Sequence, residues 1–308
     1  MTKRSALIWG GQAMLAVVIG VFVWRTLSAQ WSEFTSLEFD LDFRMSSLVA
    51  AGVIVLAVYG ILIMAWRGVL KGWSQDLGFA AATSIWCVSN LGRYLPGKVW
   101  SVAGLAVLAQ RQGVSAWAAV GSALTMQALS VGSGIVAVAL TVPAAAPALQ
   151  LMTAGVVVIG VLAVLVSPTI GPRILRLIGR GEYEYHPLPI GVVVAGFAAT
   201  SLAWTGYGVA FNLIVVGLVP NAELGVATSI GVFAAGYIVG LLALFAPGGL
   251  VVREAVYLAL LTPSIGGSAA LAVSVASRIL LTVTEIVAAL VGLTLSRTGN
   301  GRTPIQTL

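Results

Sequence analysis

Residues 90–100 read Asn-Leu-Gly-Arg-Tyr-Leu-Pro-Gly-Lys-Val-Trp. Two cations, Arg93 and Lys98, flank a break at Pro96 and Gly97, and the apolar segments on both sides are too short to cross a bilayer. Proline removes a backbone donor and glycine weakens a helix, so this pair predicts that a helix ends inside the membrane. We interpret residues 77–112 as a broken helical hairpin around this turn.

A second break lies in the other half of the chain. Pro247, Gly248 and Gly249 lead into Arg253 and Glu254, within a second interrupted hairpin at 225–262. Paired broken segments at corresponding positions in two halves are typical of transporter binding sites.

The composition indicates a polytopic membrane protein. The chain is 59% hydrophobic and 8% charged, with a mean hydropathy of +1.03, whereas about a quarter of the residues of soluble domains are charged. The net charge of +6 does not indicate nucleic-acid binding, because the basic residues fall mostly between apolar runs. With one cysteine, Cys87, and one histidine, His186, we expect no disulfide and no metal site. The chain has no nucleotide-binding loop, and we expect no cofactor.

The apolar runs predict an all-α fold. At about 20 residues per crossing, six full spans are predicted at 5–24, 45–66, 114–142, 149–167, 189–219 and 268–296. The first follows Lys3 and Arg4 as a signal peptide would, but its length favours an uncleaved helix. The leading limb of the first hairpin, 77–92, would reach about 24 Å into a core about 30 Å thick, so this hairpin enters and returns on one side. The leading limb of the second could reach about 33 Å if helical throughout, which leaves open whether residues 225–246 cross fully.

The loop charges predict the orientation. One side carries ten cations, Lys3, Arg4, Arg67, Lys71, Arg111, Arg173, Arg176, Arg180, Arg297 and Arg302, and the other carries Arg25 and Arg44. The positive-inside rule therefore predicts cytoplasmic termini in a multi-pass protein of the bacterial inner membrane.

This topology makes residues 1–308 a single transmembrane domain that contains an inverted-topology repeat. The repeat halves are 45–142 and 189–296, each a span, a re-entrant hairpin and a span, and the cytoplasmic segment 168–188 is the seam between them.

Six ionisable residues are the candidate substrate-binding groups: Arg93, Lys98, Arg253, Glu254, Arg278 and Glu285. Each would cost about 2.5–3.5 kcal/mol at the bilayer centre, so we expect them to face the protein interior. On the last span Ser274, Arg278, Thr282 and Glu285 share one helical face. Span 114–142 carries a comparable polar set, Ser122, Thr125, Ser130 and Ser133.

Helix N-termini after each break would add positive potential to that of the arginines, so the predicted cavity attracts anions, and phosphate is the obvious anion of a membrane. Structural alternatives remain open. Arg253-Glu254 and Arg278-Glu285 could be pairs that lock the hairpin to the last span, and Arg93 or Lys98 could snorkel to the interface. Near span ends, Trp66 and Tyr94 are expected as interfacial anchors.

In these residues the chain resembles the transmembrane domain family of lysylphosphatidylglycerol synthases, also called flippase-like domain proteins. Arg93 with Leu95-Pro96-Gly97 resembles the first signature, and Ala246-Pro247-Gly248-Gly249 followed by Arg253-Glu254 resembles the second. The likeness covers nearly the whole chain, although the family often has glycine where Trp100 and Val251 stand. The resemblance implies lipid translocation across the bacterial inner membrane, with Arg93, Arg253 and Glu254 at matching positions. It does not imply lipid aminoacylation, which the synthases carry on an additional soluble domain that we do not expect here.

We therefore predict a lipid transporter for an anionic or modified phospholipid or a lipid phosphate, and not an enzyme. One alternative is a membrane enzyme acting on lipid phosphates, for which only Glu254 and Glu285 could serve. Another is a non-transporting partner subunit of a lipid synthase. Gly236 and Gly240 form a small-xxx-small pair that fits internal packing or, as an open alternative, a homodimer.

Overall fold

The computed structural model describes residues 44–94, 100–141, 147–173, 186–219, 222–243 and 251–299. Its helices are α1 (Met45–Gly72), α2 (Phe79–Asn90), α3 (Trp100–Gln110), α4 (Ala116–Thr141), α5 (Pro147–Val166), α6 (Ile190–Leu218), α7 (Val226–Leu242), α8 (Val252–Ile265) and α9 (Gly267–Gly299). A short 3₁₀ turn, Leu91–Tyr94, continues α2. These ranges contain no strand.

Five of these helices, α1, α4, α5, α6 and α9, are long and apolar enough to cross a membrane. The chain is thus an all-α, multi-pass membrane protein, and the five spans predicted between residues 45 and 296 are confirmed as helices. The predicted span 5–24 lies outside the described residues. Helix α5 is the least buried of the five. Four of its apolar side chains are 63–69% exposed: Leu149, Leu151, Met152 and Val156.

Helix α1 is longer than the sequence indicated. The predicted span ends at residue 66, just before Arg67, but the helix continues to Gly72. Arg67 donates from Nε to the Leu77 carbonyl at 2.8 Å, and Lys71 lies 4.0 Å from Asp76. Because Arg67 and Lys71 both have partners just beyond the helix, their charges do not stop α1 at residue 66.

The first hairpin consists of α2, the 3₁₀ turn and α3. A Cβ on Gly92 would lie 2.8 Å from the backbone nitrogen of Ser101, closer than any side chain tolerates, so only glycine lets α3 begin against the turn. The predicted breakers Pro96 and Gly97 fall in the undescribed segment 95–99, together with Lys98.

The second hairpin consists of α7 and α8. Helix α7 has 17 residues, so it is about 26 Å long, short of a hydrocarbon core of about 30 Å. Pro247, Gly248 and Gly249 lie outside the described residues. A single residue, Gly266, joins α8 to α9 with φ +82°.

Five helix pairs, which we call the matched helix pairs, pack side by side. Helices α1 and α6 lie side by side, α2 packs on α9, and α7 packs on α4. In the same way α3 packs on α4, and α8 packs on α9.

The two hairpins start from opposite ends of the bundle. At one end, which we call the Trp73 end, Trp73 donates to the His186 carbonyl at 3.1 Å, and the Ser115 amide before α4 donates to Gln75 before α2. The first hairpin begins and ends there. At the Arg44 end, the Arg44 amide donates to Gly217 near the end of α6. Asn212, also near the end of α6, donates to the Leu224 carbonyl just before α7, so the second hairpin begins at this end.

Among the described residues the buried apolar side chains form two clusters. One lies mainly on α1 to α4 and includes Trp66 and Leu129, and the other lies mainly on α6 to α9 and includes Phe211 and Phe233. The expectation of an interfacial Trp66 is wrong. Its ring is 0% exposed and its Nε1 donates to Ser122 Oγ at 2.9 Å, which satisfies its polar atom inside the protein.

Candidate functional site

A cavity of about 150 Å³ lies where the two hairpins meet α9. Four of the six predicted binding residues line it: Arg93, Arg253, Arg278 and Glu285. Glu254 contacts Arg278 beside it, and Lys98 lies in a part of the chain that is not described. The residues that the sequence placed in separate segments are therefore brought together.

Arg93 is held from the side of α9. Its Nη1 donates to Glu285 Oε1 at 2.7 Å, and its Nη2 donates to Asn90 Oδ1 at 3.2 Å. The Arg93 side chain is 30% exposed and that of Glu285 5%. Arg93 thus points into the cavity, and the alternative that it snorkels to the interface is wrong.

Tyr94 belongs to this group and not to the membrane interface. Its ring is 5% exposed, and its hydroxyl lies 2.8 Å from Glu285 Oε2 and 2.9 Å from Thr282 Oγ1. The expectation of an interfacial anchor rests on its place near a predicted span end, and it is wrong. The position of Tyr94 next to Arg93, in a segment too short to reach the far interface, is the sequence signal for an interior tyrosine.

Arg253 lies in an aromatic enclosure at the tip of the second hairpin. Its guanidinium carbon is 4.9 Å from the centre of the Phe233 ring, 5.6 Å from that of Tyr237 and 5.4 Å from that of Tyr257, and its Nε donates to the Tyr257 hydroxyl at 2.8 Å. Its Nη2 is buried and has no partner among the described residues. Buried donors are normally paired, so this atom offers a hydrogen bond to a bound anion.

Glycine makes the enclosure possible. A Cβ on Gly236 would lie 2.2 Å from the Tyr257 ring, so α7 and α8 approach closely only because no side chain is present. Gly240 is buried and lines the cavity. The small-xxx-small pair therefore serves internal packing, as one of our two alternatives predicted, and offers no surface to a second copy.

Glu254 and Arg278 form a second ion pair between α8 and α9. Arg278 is 8% exposed and Glu254 20%, and Glu254 Oε2 is buried with no partner within the described ranges. Arg278 and Glu285 do not pair with each other, because seven residues separate them by about 10.5 Å along one helix. Arg278 instead pairs with Glu254 and Glu285 with Arg93, so the expected lock between the second hairpin and the last span is present, and α9 is bound to the first hairpin as well.

The polar stripe on α9 is confirmed. Ser274, Arg278, Thr282 and Glu285 are all buried. Since α9 begins at Gly267 and has 33 residues, Arg278 and Glu285 lie about 17 and 27 Å along a helix of about 50 Å. The cavity is therefore at its middle.

A second chamber of about 110 Å³ adjoins the first. The two share several lining residues, among them Asn90, Arg93, Gln127 and Tyr237. Its other walls include Trp86, Ser89, Ser130, Thr200, Trp204 and Tyr207. We predicted Ser130 as part of an inward polar set on α4, and the aromatic walls had no local signal in the sequence.

The site offers cationic and neutral hydrogen-bonding groups. In the described part of the chain, no three His, Cys, Asp or Glu side chains come together as a metal centre requires. Three arginines and two glutamates, Arg93, Arg253, Arg278, Glu254 and Glu285, leave one positive charge in excess (3 − 2 = 1). The arrangement suits an anion.

In comparisons with known proteins, no protein-family model matches the chain and no curated protein is significantly similar to it. The resemblance to the flippase-like domain family thus stays a prediction drawn from the two motifs.

Proposed function

We propose that this protein is a lipid transporter of the flippase type, which moves an anionic or modified phospholipid or a lipid phosphate across the inner membrane. The headgroup passes through the cavity while the acyl chains stay in the bilayer. One observation carries the proposal: Arg93 of the first hairpin and Arg253 of the second line the same cavity at the middle of α9.

The cavity has room and chemistry for a phosphate group. Its volume of about 150 Å³ is far above the roughly 10–15 Å³ that a cavity needs to hold one water. Arg253 Nη2 is an unpaired donor, and a guanidinium can bind two phosphate oxygens at once. Arg93 binds phosphate by exchanging the Glu285 carboxylate for it, so ligand binding loosens the contact between the first hairpin and α9.

Alternating access follows from an inverted repeat of 45–142 and 189–296, with 168–188 as the seam. The hairpins that start from opposite bundle ends, the matched helix pairs and the two apolar clusters support this repeat. In this mechanism one half rocks against the other around the site.

The orientation proposed for the membrane is cytoplasmic at the Trp73 end. Arg67 and Lys71, near the end of α1, and Arg111, at the end of the first hairpin, lie at this end, whereas Arg44 lies at the other. This distribution supports the positive-inside prediction.

The contacts of the carboxylates favour transport over lipid-phosphate chemistry. General acid/base catalysis needs a carboxyl free to exchange a proton with substrate. Glu285 is held through both oxygens, by Arg93 and Tyr94, and Glu254 is bound by Arg278 through Oε1 and is not among the residues that line the cavity. The sequence feature that suggested a partner-subunit role was the pair Gly236 and Gly240. Both residues are buried inside the protein, so they no longer support that role.

The test is reconstitution in liposomes that contain labelled phosphatidylglycerol, with headgroup movement between leaflets as the readout. Arg93→Ala and Arg253→Ala should each reduce the rate by about tenfold or more, because a hydrogen bond to a charged group contributes about 1.5–3 kcal/mol. Lys71→Ala is the matched control, since it removes an exposed cation away from the cavity. Movement at the background rate in the wild type, or equal rates in all four proteins, would reject transport.

A further inference from the structure

The chamber next to the arginine cavity has unused hydrogen-bonding capacity. Trp86 Nε1 and Ser89 Oγ both belong to residues that line it, and both atoms are buried without a partner among the described residues. Ser89 is 5% exposed. Buried polar atoms are normally satisfied by protein, water or ligand, so two such atoms on residues that line one chamber point to a bound group that carries oxygen atoms.

The charges around the chamber argue against a cationic group. Aromatic rings such as Trp86, Trp204 and Tyr207 could by themselves attract an ammonium. However, Arg93 lies on the wall shared with the first cavity, and no Asp or Glu is among the described residues of the chamber. An ammonium would therefore meet a guanidinium, and the carboxylate nearest to the chamber, Glu285, lies on the side of the first cavity and is already bound to that guanidinium.

The remaining polar groups are neutral and can both donate and accept. The amides of Asn90 and Gln127 and the hydroxyls of Ser130 and Thr200 line the chamber with the aromatic rings. Hydroxyl groups of a ligand can also donate and accept, and the carbon skeleton between them fits against rings.

We propose that the second chamber binds a neutral, hydroxyl-bearing group, a polyol or a sugar, that is esterified to the phosphate held by Arg93 and Arg253. This inference rests on the proposed lipid transport and names its substrate class: phosphodiester lipids with a polyhydroxyl headgroup, and not lipids with an ammonium headgroup.

The test measures binding to detergent-solubilised protein and needs no transport. Four dioctanoyl lipids of equal chain length are compared: phosphatidylglycerol, phosphatidylinositol, phosphatidylethanolamine and phosphatidic acid. The first two should bind about fivefold or more tightly than the last two, in line with two or more additional hydrogen bonds. Tightest binding of phosphatidic acid would mean that phosphate charge alone governs affinity, and tightest binding of phosphatidylethanolamine would mean that the chamber accepts ammonium. Either result overturns the proposal.

Two variants remove the unpaired groups; Ser89→Ala removes little volume, whereas Trp86→Phe keeps an aromatic ring but enlarges the chamber. Trp86→Phe and Ser89→Ala should each lower the ratio of phosphatidylglycerol to phosphatidic acid affinity towards one. Ser274→Ala is the matched control, because Ser274 Oγ is also buried and unpartnered within the described residues but lies in neither chamber. An unchanged ratio in both Trp86→Phe and Ser89→Ala would overturn the assignment.

Liposome transport of the same headgroups separates the two proposals. Selective binding without movement of any lipid supports the polyol chamber and rejects the transporter. Movement of every headgroup at one rate, with equal affinities, supports transport and rejects the chamber's selectivity.

Discussion

Arg93 and Glu285 differ in exposure, and this difference predicts unequal effects of their substitution. Arg93→Ala leaves the carboxylate of Glu285, 5% exposed, without its cation and should destabilise the protein by about 3–5 kcal/mol. Glu285→Ala should cost less, because the 30% exposed Arg93 keeps some contact with water. Denaturant unfolding in detergent measures both effects.

The double variant Arg93→Ala/Glu285→Ala provides the control for this prediction. It should recover part of the loss of the single Arg93→Ala variant, with a coupling of about 1 kcal/mol or more, as expected for residues in direct contact. Additive effects, or a larger loss from Glu285→Ala, would contradict the ion pair as described.

At the residue scale, the sequence predicted which charges face inward but not which charges pair. The cost of a charge in hydrocarbon is enough to turn Arg278 and Glu285 inward. Their partners, Glu254 and Arg93, lie 24 and 192 positions away, and no local pattern encodes such distances. The same is true of Tyr94, whose hydroxyl bonds across 191 positions.

At the element scale, the close approach of α7 and α8 depends on Gly236. Gly236→Ala places a methyl group against the Tyr257 ring and should destabilise the protein by about 1–3 kcal/mol through overpacking. Because Tyr257 also holds Arg253, transport should fall with it. Thermal unfolding and the liposome assay are the measurements.

Gly155→Ala in α5 is the matched control, since a Cβ there meets no atom within 4 Å. It should leave transport unchanged and should be neutral or stabilising by up to about 1 kcal/mol. Equal effects of the two substitutions would show that helix propensity, and not the contact with Tyr257, controls the Gly236 position.

The helices themselves were largely predictable, because apolar run lengths fix spans to within a few residues. The exception, α1, continues for a further turn and a half because its cations find partners beyond it. The length of α7 could not be read from hydropathy, since the apolar run continues past Leu242 where the helix ends.

At the scale of the whole molecule, the two bundle ends predict opposite accessibility. Asp76 and Glu223 are exposed residues at the Trp73 and Arg44 ends respectively. In a Cys87→Ala background, Glu223→Cys should react with an impermeant maleimide in intact spheroplasts, and Asp76→Cys only after permeabilisation. The native Cys87 is 5% exposed, so wild-type protein should label weakly. The reverse pattern would contradict cytoplasmic termini.

The order of spans and loops predicts two halves, because loop charges assign each span a direction. It was not sufficient to predict the chambers between them. Trp86, Trp204 and Tyr207 come from different helices, and only the packed bundle brings their rings around one space.

Because only Gly266 separates α8 from α9, a movement of α9 at the first hairpin also affects the second hairpin. Helix α8 has no slack relative to α9, and the Glu254–Arg278 pair holds the two together at a second point. In the proposed mechanism the two helices therefore move together. When phosphate replaces Glu285 on Arg93 and α9 separates from the first hairpin, Arg253 on α8 is displaced with α9, so the two arginines change their contacts with the bound anion together and not one after the other.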